Sequence, residues 1–135
     1  MTADAPRIYP SLRYRDAKAA IEFLAAAFGF EVRVSYADDD GVVHHAELTY
    51  GPSILMMGTE RDDKYGGRTG HGMTYVAVDD ADAHCARARE AGAEIVAELH
   101  DTDYGSRDYT ASDPEGNIWS FGTYRPAVGQ QPLAA

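Results

Sequence analysis

Two stretches of the chain show apolar residues at helical spacing. After Asp16, the positions Ile21, Leu24 and Phe28 recur until Gly29, which predicts a helix capped by Asp16 and stopped by the glycine. A narrower stripe, Ala81, Cys85 and Ala88, follows Asp80 and ends at Gly92, predicting a second helix. Strand-like runs come after each: Glu31 to Tyr36, Val42 to Tyr50 and Ser53 to Gly58, then Glu94 to Leu99, Arg107 to Ser112 and Asn117 to Tyr124. Turn residues separate them at 38–41, at Gly51-Pro52 and at 113–116. The acidic triplet Asp38 to Asp40 lies at a hairpin tip, where a solvated turn explains it better than a metal loop.

The pattern repeats. Leu12 to Ile21 and Val76 to Cys85, offset by 64 residues, each read as a short strand, an Asp and an Ala-rich run. Gly51 to Gly58 aligns with Gly116 to Gly122, with one residue inserted after the first glycine. The chain therefore reads as two β-α-β-β-β modules, 7–58 and 73–124, with a linker at 59–72 rich in Gly and charge and a loose tail at 125–135.

Composition narrows the function classes. A length of 135 residues suits one domain or two small similar halves, and 44% hydrophobic with 25% charged residues is ordinary for a globular protein. No run approaches the roughly 18 apolar residues of a membrane helix, and Met1 to Pro6 lacks signal-peptide features, so a cytoplasmic location and no membrane partner are expected. Twelve basic against 22 acidic residues give a net charge of −10, which disfavours nucleic acid and attracts cations. The single cysteine, Cys85, excludes an internal disulfide and a multi-cysteine zinc site, and reads as a small buried hydrophobe. No Gly-rich phosphate loop and no Ser/His/Asp order stands out.

The paired modules, with their strand-Asp-helix openings at Leu12 to Ile21 and Val76 to Cys85, resemble the vicinal oxygen chelate superfamily. The closing phrase Asp113 to Gly122 is similar to the end of its glyoxalase/bleomycin-resistance branch. The resemblance, over residues 7 to 124, implies an α+β fold of pseudo-two-fold symmetry in which curled sheets form a half-open cup, with helices outside and ligand inside. It implies homodimers. It also implies that metalloenzymes of the family place His, Gln or Glu on the first and last strands of each module. Those positions here are Tyr9, Met56, Met73 and Ser120, with 56 − 9 and 120 − 73 both equal to 47. Thioether, phenol and hydroxyl are poor ligands for a catalytic divalent ion, so neither a metal nor another cofactor is expected.

Strand alternation refines the cup. Ala46 and Leu48 should pack beneath the helices while His45, Glu47 and Thr49 face the cavity. By the same phase the wall includes Tyr9, Ser11, Arg13, Met56, Met73, Tyr75, Ile118 and Ser120, whereas Trp119 and Phe121 belong to the core. His45 and Glu47 are candidate catalytic groups, a proton partner and a general base, or wall residues bonded to each other or to ligand. With His71, in phase with Met73, they form a candidate displaced triad for iron(II) or zinc. His44, His84 and His100 read as surface histidines. The leading expectation is a metal-independent protein that sequesters a hydrophobic or aromatic small molecule, cationic ligands and antibiotics included. The alternatives are a lyase, isomerase or dioxygenase built on Glu47 or the displaced triad, and an interaction module with a vestigial cup.

Overall fold

The computed structural model describes residues 6–62 and 69–127. Part of the expected linker, 63–68, and most of the expected tail, 128–135, lie outside the described residues. The elements run β1 (Ser11–Tyr14), α1 (Ala17–Phe28), β2 (Glu31–Ala37), β3 (Val43–Tyr50), β4 (Ser53–Thr59), β5 (Met73–Ala77), α2 (Ala81–Glu90), β6 (Glu94–Asp101), β7 (Arg107–Ser112) and β8 (Ile118–Gly122).

Local chemistry explains the boundaries. The Asp16 carboxylate accepts from Ala19 N at 3.0 Å and that of Asp80 from Ala83 N at 3.0 Å, so each helix begins on an acidic cap. Gly29 closes α1 in the left-handed region at φ 84, which a side chain would resist. The last strand is shorter than the expected 117–124. Asn117 N–H is drawn into the preceding turn by Asp113 Oδ1 at 3.1 Å, and the Thr123 hydroxyl accepts from Arg107 N at 3.0 Å.

The strands form two four-stranded sheets, ordered β1-β4-β3-β2 and β5-β8-β7-β6. In each, the first strand pairs parallel with the last and the other pairs are antiparallel. Their inner faces share one core, because Phe28 of α1 meets Phe121 at 4.7 Å and Trp119 at 5.7 Å between ring centroids. Leu24, Phe28, Leu48, Tyr109 and Phe121 are fully buried there. α1 and α2 also pack on each other.

The turn between β7 and β8 ties the halves together. Asp113, 4% exposed, accepts from the Tyr14 hydroxyl at 2.6 Å, Trp119 Nε1 at 3.1 Å and Asn117 Nδ2 at 3.3 Å, and from the backbone N–H of Glu115 and Asn117. Burial, then the neighbouring Asp113 carboxylate, push the Tyr14 phenol well above its usual pKa. Glu115 accepts from Arg15 N at 2.6 Å and Asp16 N at 2.8 Å, at the entry to α1. Burial alone would raise the Glu115 carboxyl, but the N–H groups of Asp16 and Arg15 outweigh it and hold the pKa low. Asn117 Oδ1 accepts from Gly70 N and Gly72 N, fixing the approach to β5.

His84 corrects the expectation of a surface histidine. It is half-buried, with Nε2 donating to the Phe28 carbonyl at 2.9 Å and Nδ1 bonded to the Tyr109 hydroxyl at 2.5 Å. Its ring lies 4.3 Å from that of Phe121. The buried residues of α2 are the expected Ala81, Cys85 and Ala88, and half-buried His84 lies beside them on the helix that packs on α1. Desolvation first, then Arg87, lower the His84 pKa despite the Phe28 carbonyl. The unfolded chain, with histidine near pKa 6.5, therefore binds this proton more readily than the folded one. Its contribution to stability is intact above about pH 6.5 and is lost as the pH falls through the unfolded and then the folded pKa. Urea unfolding between pH 8 and 5 should show less loss of stability on acidification in His84→Gln than in the parent. Parallel curves would show that His84 is not desolvated.

Candidate functional site

Each sheet turns its second face to solvent, and the strand register places most of the expected wall residues there. Ser11 pairs with Met56, Met56 with Glu47 and Glu47 with Val34, one row across the first sheet. Arg13, His45 and Thr49 are two residues from members of that row and share its face. Ala46 and Leu48 are buried on the opposite face, as alternation requires. On the second sheet the matching row is Tyr75, Ser120 and Thr110, and Met73 pairs with Ile118 one step away. Met73 is 78% exposed and Tyr75 40%.

Tyr9 stands apart from the rows. It precedes β1, is half-buried and donates its hydroxyl to the Pro6 carbonyl. The neighbours across the parallel pairs are Ser11 beside Met56 and Tyr75 beside Ser120, two residues on from the expected Tyr9 and Met73. Hydroxyl, thioether, phenol and hydroxyl remain a donor set unsuited to a catalytic divalent ion, so the metal of the family's metalloenzymes does not fit these positions. The displaced triad is not assembled either. His45 Nε2 lies 2.9 Å from Glu47 Oε2, but exposed His71 lines a separate polar depression with Arg15, Glu60, Asp62 and Thr69. Among the described residues no three His, Cys, Asp or Glu side chains are grouped to hold an ion.

Glu47 is more heavily engaged than its sequence position suggests. Arg33 Nε reaches Glu47 Oε1 at 3.1 Å while His45 holds the other oxygen, and Tyr36 stacks on His45 at 6.5 Å. Arg33 sits where the β2–β3 register shifts between Val32 and Val34, and from there its guanidinium reaches Glu47 on the neighbouring strand. At the far end of the second sheet, Tyr75 OH donates to the Tyr124 carbonyl at 2.6 Å and Ser106 OH to Asp108 at 2.5 Å. Burial chiefly raises the Tyr75 phenol pKa.

A cleft of about 860 Å³ lies elsewhere, between the start of β4 and strand β5. Phe30, Tyr50, Tyr75 and Trp119 line it with Pro52 and Ile54, so Tyr75 alone of the proposed ligand residues reaches it. Sequence phase assigned Trp119 to the core, and at 1% exposure it is there, yet it also borders the cleft. The Gly51-Pro52 turn after Tyr50 is the available sequence signal, since a tight turn holds the tyrosine beside the opening.

The family profile of the Glyoxalase/Bleomycin resistance protein/Dioxygenase superfamily matches residues 8–121. An uncharacterized protein of Mycobacterium tuberculosis strain H37Rv, Rv0887c, is 33% identical over 125 residues, covering 87% of this chain and 74% of its own. The crystal structure of TioX from Micromonospora sp. ML1 superposes with TM-score 0.75 at 33% identity, over 87% of this chain and 97% of that one. TnmS3, an antibiotic binding protein from Streptomyces sp. CB03234, gives TM-score 0.69 over 90% and 97% of the two chains. At 20% identity that likeness is one of fold.

Gly122 tests the packing of the second face. A Cβ there would collide with Asp108 Oδ1 and stand 2.8 Å from the Tyr75 hydroxyl, so both must move. Gly122→Ala should cost about 1–3 kcal/mol, the usual scale of overpacking, read by thermal denaturation. An unchanged melting temperature would mean that Asp108 and Tyr75 are not fixed over that backbone.

Proposed function

The chain belongs to the Glyoxalase/Bleomycin resistance protein/Dioxygenase superfamily, and we propose that within it the protein sequesters a hydrophobic or aromatic small molecule without a metal. The observation that carries this reading is the chemistry of the two outer rows. Ser11, Met56, Tyr75, Ser120 and Thr110 offer adaptable apolar contact and neutral hydrogen bonds, the combination of an organic ligand site, while the carboxylate in these rows, Glu47, is already held by Arg33 and His45. TnmS3, an antibiotic binding protein, is a precedent on this fold. A net charge of −10 favours cationic over anionic ligands at long range.

Ligand pockets usually enclose most of their guest, and each sheet face here is open to solvent. We therefore place a second copy of the chain over these faces, making a homodimer whose partner completes the cup. The cytoplasm is the expected compartment, and no helix among the described residues is long and apolar enough to cross a membrane. The His45–Glu47 pair favours one second reading, proton transfer by a lyase or isomerase with Glu47 as base. Arg33 holds the other carboxylate oxygen, so both oxygens of Glu47 are already engaged, which favours the sequestering reading.

The test is calorimetric titration, with metal-free protein, of planar aromatic antibiotics and matched cationic and neutral acridines. Binding should need no added metal and return the ligand unchanged. Glu47→Gln leaves Arg33 without its carboxylate, so the cationic acridine should lose about 1.5–3 kcal/mol, the scale of a charge-assisted hydrogen bond, and the neutral one little. Ser120→Ala should cost less, about 0.5–1.5 kcal/mol. Conversion of a ligand, or binding only with stoichiometric iron, zinc or nickel, would replace sequestration with catalysis.

A further inference from the structure

We propose that the cleft between the start of β4 and strand β5 is a second ligand site, selective for an uncharged planar aromatic molecule. It shares Tyr75 with the outer row of the second sheet and none of the other ligand residues proposed there. Its volume, about 860 Å³, lies within the range of drug-sized pockets. Phe30 and Trp119 meet edge to face at 5.6 Å at its base, and Tyr50 stands 5.5 Å from Phe30. These rings are in contact with one another and form a continuous aromatic surface, which a flat ring system can meet by offset or edge contact.

Charge decides which flat molecule fits. The formally charged residues lining the cleft are Asp79 and Arg125, joined at 3.1 Å and both exposed, so they neutralise each other. A charged guest would shed water at the apolar base without gaining an unmatched opposite charge. The remaining polar lining, Ser53, Thr74 and Tyr50, offers neutral hydrogen bonds to a carbonyl or ether oxygen. An uncharged ring system carrying one or two such oxygens is the complement.

Trp119 is the single tryptophan of the chain, so its emission reports on this site. Flavone, uncharged and planar, should change that emission saturably at micromolar concentration, while 2-naphthalenesulfonate and a cationic acridine should act at least tenfold more weakly. Ser53 is exposed at the mouth, where a larger side chain is tolerated and obstructs entry. Ser53→Phe should weaken flavone at least tenfold while its melting temperature without ligand stays that of the parent. In the parent, Asp79→Asn leaves Arg125 uncompensated and should improve 2-naphthalenesulfonate severalfold relative to flavone.

Three results would overturn the proposal. One is an absent flavone response in both emission and thermal shift. Another is a response abolished by Glu47→Gln but not by Ser53→Phe, which puts the probe on the sheet face. The third is an emission change on diluting the protein without probe, which makes a second copy the occupant. The sheet-face reading stands or falls separately, on the acridine titration.

Discussion

A buried carboxylate, Asp113, is the constraint on which the rest of the structure depends. An ionised group at 4% exposure is costly unless its lone pairs are filled, and five donors from backbone and side chains fill these. Two of them, the Tyr14 hydroxyl and the Trp119 indole, stand on β1 and β8, on different sheets, so satisfying the charge fixes the sheets relative to each other. The neighbouring turn residues extend the lock, Glu115 to the entry of α1 and Asn117 to the entry of β5.

That lock sends the apolar surface inward and leaves the chemistry outside. With Phe28, Trp119 and Phe121 in one shared core, the inner sheet faces are consumed by packing. The outer faces then carry polar groups able to meet a ligand, and they remain open until something covers them. Membership of the superfamily sets the frame, while the residues on these rows decide the activity within it. The side chains paired across the parallel strands of these faces are Ser11 with Met56 and Tyr75 with Ser120, poor ligands for a catalytic divalent ion.

Much of the fold was legible because local signals agreed. Asp16 with Gly29, and Asp80 with Ala81, Cys85 and Ala88, mark both helices, and the offset of 64 residues between modules aligns their strands. Alternation placed Ala46, Leu48, Trp119 and Phe121 inside without any structure. What alternation misses is whatever depends on a third element. His84 reads as exposed because the groups that cover it, Phe28 of α1, Tyr109 of β7 and Phe121 of β8, are all distant in sequence. Tyr9 falls outside the wall rows because β1 begins only at Ser11. The cleft was invisible for the same reason, its walls coming from residues 8 to 126 with no repeating spacing.

The most direct test of the account is urea unfolding of Asp113→Asn, followed by Trp119 emission and far-UV circular dichroism. The substitution keeps the shape, removes the charge and turns one acceptor oxygen into a donor facing donors. Loss of about 3–5 kcal/mol, the cost of breaking a buried charged network, is the predicted result, with the two probes diverging as the halves uncouple. A variant within about 0.5 kcal/mol of the parent, an effect typical of ordinary surface positions, with coincident transitions, would show that the sheets are held by their shared core alone.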